Sequence, residues 1–155
     1  MTSFRSALLF SVLLATCSAR PDDGSKSHLD FAEKEKKILE ECNKEIHAPE
    51  SAIEHLLLME EIDDSKEGKC LLKCAMTAFQ IMQEDGHLDE EKTLAYIHHA
   101  YSKPETQAKV KEIADACIEQ VEKVEDNCEH AYNFLKCFIT EAKKNNIPKI
   151  HEEKH

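Results

Sequence analysis

Cysteine and histidine are the side chains of this 155-residue chain best placed to do chemistry, at seven and nine copies. Cys17 falls in an N-terminal segment that reads as a leader, which leaves Cys42, Cys70, Cys74, Cys117, Cys128 and Cys137. An even six in an exported chain is the arithmetic of three disulfides. The rival is zinc, with Cys70-x3-Cys74 and the neighbours Cys128 and His130 as ligands. Thiolates sent to an oxidising compartment pair with one another, so no metal is expected. Catalytic arrangements are missing as well. There is no Ser-His-Asp elbow, no carboxylate dyad, and no calcium loop with a His-Asp pair of the kind a secreted phospholipase requires. Asp85 to Glu91 contains a glycine but lacks acidic ligands at EF-hand offsets. No G-x-G-x-x-G or P-loop occurs, so the chain reads as a non-enzyme without a cofactor.

The leader itself is residues 1–19. Arg5 supplies the basic start, Ala7 to Ala15 the short apolar run, and small residues up to Ala19 the cleavage site. Such a run is too short to cross a bilayer, which takes about 20 apolar residues, and no later run exceeds Leu56 to Met59. Secretion is therefore expected, with the mature chain starting at Arg20, a domain over 20–144 and a tail over 145–155. The 20 Lys and Arg against 31 Asp and Glu give a net charge of −11. No basic cluster with interleaved aromatics is present, so nucleic acid is excluded as a partner. No Asn-x-Ser/Thr acceptor occurs.

The elements that must hold these cysteines are helices. Three glycines and no strand alternation disfavour a β-sheet, and the expected class is all-α. Val110, Ile113, Ala114, Cys117, Ile118, Val121 and Val124 form one apolar stripe at helical spacing, and Cys128, Ala131, Tyr132, Leu135, Phe138 and Ile139 form a second. Cys70 to Met82 is apolar nearly all round, which predicts a central helix. Asp30/Glu33, Asp64/Glu67, Ser102/Glu105 and Asp126/Glu129 are start signals, Pro49 and Pro104 suit first turns, and Asp85-Gly86 suits a helix stop. Helices are predicted over 28–47, 50–62, 66–84, 89–101, 104–124 and 126–144. On one helix Cys70 and Cys74 sit too far apart to bond each other, and Cys128 and Cys137 face opposite ways. That leaves ten of the fifteen possible pairings open.

The order Cys42-x27-Cys70-x3-Cys74-x42-Cys117-x10-Cys128-x8-Cys137, behind a leader and on an acidic helical chain, resembles the insect odorant-binding protein family of six-cysteine pheromone and general odorant carriers. Asp85-Gly86-His87-Leu88, Glu91-Lys92 and Lys136-Cys137-Phe138 are similar to its pattern too. The resemblance implies six helices around an apolar cavity and the interlocked pairing Cys42–Cys74, Cys70–Cys128 and Cys117–Cys137. It also implies a small hydrophobic ligand as partner, a membrane odorant receptor as a further one, and a monomer or weak homodimer in sensillum lymph or another secretion. The absence of Trp favours a general carrier over a pheromone specialist.

Burying about 300 Å² of a volatile's apolar surface is worth roughly 7 kcal/mol, close to the −8 kcal/mol or so of micromolar binding. The expected pocket wall is Leu57, Leu72, Met76, Phe79, Ile97, Ile113, Ile118, Phe134, Leu135 and Phe138, with Tyr101 or Tyr132 as hydroxyl partner. Asn145 to His155, with Ile147, Pro148 and Ile150, is expected to act as a lid. Histidines such as His55, His98, His99, His151 and His155 are the candidates to loosen it in acid. The competing reading is a secreted six-cysteine interaction protein with a solid core. A saposin-like lipid binder fits the cysteine spacing less well.

Overall fold

The fold is given by a computed structural model that describes residues 24–150, with side chains from Asp30 onward. The expected leader, the start at Arg20, and His151 and His155 lie outside the described residues. Six helices run in order: α1 (Gly24–Ile46), α2 (Glu50–Leu58), α3 (Lys66–Ala78), α4 (Glu90–Ala100), α5 (Pro104–Gln120) and α6 (Asn127–Lys144). Among the described residues the one β feature is an isolated antiparallel bridge between Met82 and Leu88.

Helix α3 is the hub. It packs mainly on α6 and α1, while α5 packs on α6 and α4. Leu71, Leu72, Ala75 and Met76 of α3 are buried, and Leu71 is fully enclosed. The three disulfides are Cys42–Cys74, Cys70–Cys128 and Cys117–Cys137, tying α1 to α3, α3 to α6 and α5 to α6. Cys70 and Cys74 share a helix face, yet each bonds a different neighbour, so α3 is clamped from two sides. At about 2–4 kcal/mol per bridge, the three together rival the net stability of a typical domain.

Helix ends depart from the sequence reading in physically interpretable ways. Asp30 does not start α1, which already runs from Gly24. An acid inside a helix costs only about 0.7 kcal/mol, so a capping signal does not interrupt a helix that can continue. The α3 cap is Ser65, whose Oγ accepts from the Gly68 N–H at 3.1 Å, and not Asp64; Asp63 Oδ1 in turn accepts from the Ser65 N–H. Lys103 rather than Ser102 holds the α5 N-cap position, with Pro104 in the first turn. Pro49 is the N-cap of α2, one position ahead of the expected first turn. Asp126 caps α6 as expected, accepting from the Cys128 and Glu129 N–H groups.

The larger corrections concern α2, α3 and α5, which stop at Leu58, Ala78 and Gln120, short of the expected 62, 84 and 124. Met59 adopts a left-handed conformation (φ 51°) and caps α2, ahead of the charged run Glu60 to Asp64. Gln80 (φ 63°) turns the chain out of α3 into a short hairpin, in which Ile81, Met82 and Leu88 are buried. A buried apolar run reads alike for helix and hairpin, which is why the expected helix ran on to 84. Gly86 belongs to that hairpin rather than to the end of α3. Its φ of 85° suits glycine, and a Cβ there would lie 2.2 Å from Asn127 Oδ1. Asn127 Nδ2 donates to the Glu84 carbonyl at 3.0 Å, pinning the hairpin to the start of α6.

Candidate functional site

A cavity of about 100 Å³ lies between the helices, walled almost wholly by apolar side chains. Helix periodicity explains which positions reach it. From α3 come Leu72, Ala75, Met76 and the following Phe79; from α5 Val110 and Ala114; from α6 Phe134, Leu135 and Phe138. These are i, i+3 or i+4 neighbours on one face of each helix. Helix α4 contributes Thr93, Tyr96 and Ile97, with Tyr101 just beyond its end, and the cap of α2 contributes Met59.

The polar part of the wall is concentrated where α1 meets α4. Glu35 is only 8% exposed although it is a carboxylate, and the Tyr96 hydroxyl donates to its Oε1 at 2.6 Å. Burial, followed by the nearby Glu35 charge, pushes the Tyr96 phenol well above its usual range, so it remains a donor. The Phe31, Phe79 and Tyr96 rings gather beside this pair, with Tyr96 edge-on to Phe31 at 5.2 Å and to Phe79 at 5.1 Å. Such contacts are worth about 0.5–1.5 kcal/mol beyond area burial.

The C-terminal segment closes one side. After α6, Asn146 is left-handed (φ 53°) and the Ile147 N–H returns to the Ala142 carbonyl at 3.0 Å. Ile150 is then delivered, buried, onto the cavity wall. Lys143 Nζ donates to the Glu60 carbonyl at 2.8 Å, and Lys149 pairs with the Glu60 carboxylate. Lys149 thus fastens the segment, and Lys143 the last turn of α6, to the chain just beyond α2.

Of the residues expected at the pocket wall, Leu72, Met76, Phe79, Ile97, Tyr101, Phe134, Leu135 and Phe138 line the cavity. Leu57, Ile113, Ile118 and Tyr132 do not. Leu57 is one residue, about 100° of helix, away from Leu56, which does line it. Ile113 is buried in the core beside the lining pair Val110 and Ala114, and Ile118 lies further along α5, partly buried. Tyr132 faces a separate polar groove with His55, Glu60 and Lys136, its ring under Lys69 Nζ at 4.5 Å and Lys136 Nζ at 5.4 Å. Sequence reasoning missed Glu35, Tyr96 and Met59 as wall residues, and it named Ile150 only as part of the expected lid. A signal for Glu35 existed: it interrupts the Phe31, Ile38, Leu39, Cys42 stripe of α1 at a position that helical spacing buries.

No group of three or more His, Cys, Asp or Glu among the described residues is arranged to hold a metal. Nor is any described helix long and apolar enough to cross a membrane. Six helices clamped by three interlocked disulfides thus surround an apolar hollow. Residues 25–141 match the PBP/GOBP family, and the chain belongs to it. The general odorant-binding protein 19d of Drosophila melanogaster is 28% identical over 145 residues, 90% of each chain. The odorant-binding protein dmelOBP28a of the same species superposes with a TM-score of 0.68 at 25% identity, covering 78% of this chain and 99% of that one. Pheromone binding protein 3 of Epiphyas postvittana shares the fold, with a TM-score of 0.59 at 24% identity over 70% of this chain and 95% of that one. The family consists of non-enzymatic binding proteins.

Proposed function

We propose that the protein is a secreted carrier that takes a small hydrophobic molecule, of the odorant or semiochemical kind, into its interior and moves it through an aqueous secretion. The observation that carries this reading is the apolar cavity at the meeting point of α3, α4, α5 and α6, which the solid-core alternative would lack. Removing a guest's apolar surface from water supplies the binding energy, at about 25 cal/mol per Å². No bond is made or broken. The resting volume is below the roughly 300–1,000 Å³ of many ligand pockets. A larger guest therefore requires side chains to yield, and Met59 and Met76 are the flexible, unbranched ones on the wall.

The test is titration of the mature, oxidised protein with an apolar fluorescent dye. Saturable one-to-one binding that small volatiles reverse is the expected result. Ala114→Phe, which fills the hollow from α5, should weaken the dye roughly tenfold or more while the helical circular dichroism is unchanged. Absence of dye binding by the folded protein would instead favour the solid-core interaction protein.

A further inference from the structure

A hollow of about 100 Å³ limits the guests that its walls admit without moving. An apolar cavity of about 150 Å³ lined by Leu, Ile and Phe stays dry and takes up benzene. The size here is therefore that of one small ring rather than of a long chain. The composition of the wall points the same way. Of the six Phe and three Tyr in the sequence, five stand on it: Phe79, Tyr96, Tyr101, Phe134 and Phe138. Phe79 and Tyr96 already meet edge to face at 5.1 Å, and both pack on Phe31. Phe134 and Phe138, from α6, are buried and have no ring contact among the described residues. Aromatic rings are negative on the face and positive at the edge, and they attract one another when their centroids lie about 4.5–7 Å apart. Two buried rings on the wall of an apolar hollow leave that attraction open to a guest.

We infer that the preferred guest is a compact molecule built on a single aromatic ring, which contacts Phe134 and Phe138 of α6 as well as the Phe79 and Tyr96 pair. The inference rests on the carrier reading and names its ligand class. A flat ring that fills so small a hollow presents an edge or a face to each wall and extends the edge-to-face array that Phe79 and Tyr96 begin. Met59 and Met76 add thioether sulfurs, which also favour contact with a ring. A linear chain of equal carbon number has no such charge pattern, must push the walls apart to enter, and loses more torsional freedom on being confined.

The test uses the mature, oxidised protein and three alcohols of equal carbon number, benzyl alcohol, cyclohexylmethanol and heptan-1-ol, each titrated by calorimetry. The shared hydroxyl cancels, and dividing each association constant by the alcohol's own water-to-hexadecane partition coefficient removes bare hydrophobicity. Benzyl alcohol should then exceed cyclohexylmethanol roughly tenfold, the combined worth of two ring contacts, and heptan-1-ol should fall lowest. Phe134→Leu/Phe138→Leu keeps the wall apolar and removes its two open rings. It should bring the benzyl-to-cyclohexyl ratio below about threefold while cyclohexylmethanol and an apolar fluorescent dye still bind. Proton NMR of the unaltered protein supplies a second readout: the bound benzyl ring should show nuclear Overhauser contacts to the Phe134 and Phe138 rings. Absence of those contacts overturns the inference even where the double variant fails to fold. Equal normalised affinities for benzyl alcohol and cyclohexylmethanol, dye binding without binding of benzyl alcohol, or a preference that survives the double variant would also overturn it, and each leaves the carrier intact. If neither the dye nor any of the three alcohols binds the folded protein, the carrier reading fails, and this inference with it.

Discussion

At the scale of single residues, the described histidines differ sharply in burial. His98 and His99 are exposed, and His55 faces the polar groove. His130 is 4% exposed on α6, and its Nδ1 is buried without a hydrogen-bond partner among the described atoms. Burial holds its pKa below the ordinary 6.5, with Lys123 adding in the same direction and a hydrogen bond to the Glu122 backbone opposing. The unfolded chain then takes up a proton more readily than the folded one. Stability is full above about pH 6.5 and falls as pH drops from there through the lowered folded value. Thermal melts between pH 7.5 and 5 should show a declining Tm that His130→Gln flattens; parallel curves would remove His130 as the cause. His130 was legible only as a neighbour of Cys128, because burial depends on how α6 lies against the chain before it.

At the scale of elements, the interlocked bridges carry unequal weight. Cys70–Cys128 closes 58 residues and Cys117–Cys137 only 20. Chain-entropy reasoning makes the first worth about 1 kcal/mol more. Cys70→Ala/Cys128→Ala should therefore lower Tm by several degrees more than Cys117→Ala/Cys137→Ala, as read by circular dichroism. Equal losses would mean that native-state packing, not the unfolded chain, sets the difference. Helix positions were readable because stripes such as Val110 to Ile118 repeat every three or four residues. Helix ends were less so. Met59 and Gln80 take left-handed backbones without being glycine, and what offsets that local cost is the packing of Met59 and Ile81 inside the molecule.

At the scale of the whole molecule, the tail decides how the cavity is closed. Lys149 holds the Glu60 carboxyl below its ordinary 4.5, so this tie is present above that value and is lost as pH falls through the lowered one. It therefore persists at pH 5, and a protein that released its guest there would do so by another route. Removing residues 147–155 should speed dissociation of the bound dye in stopped flow and leave the helices in place; unchanged release would make the tail a bystander. Cysteine parity and spacing, an acidic balance and helical periodicity were enough, from sequence alone, to reach an all-α disulfide-stapled domain and its family, since these are properties of neighbours along the chain. Which buried side chains face the hollow, and that Glu35 meets Tyr96 there, came only with the tertiary structure. Periodicity reports that a position is buried, whereas helix rotation and crossing decide what it is buried against.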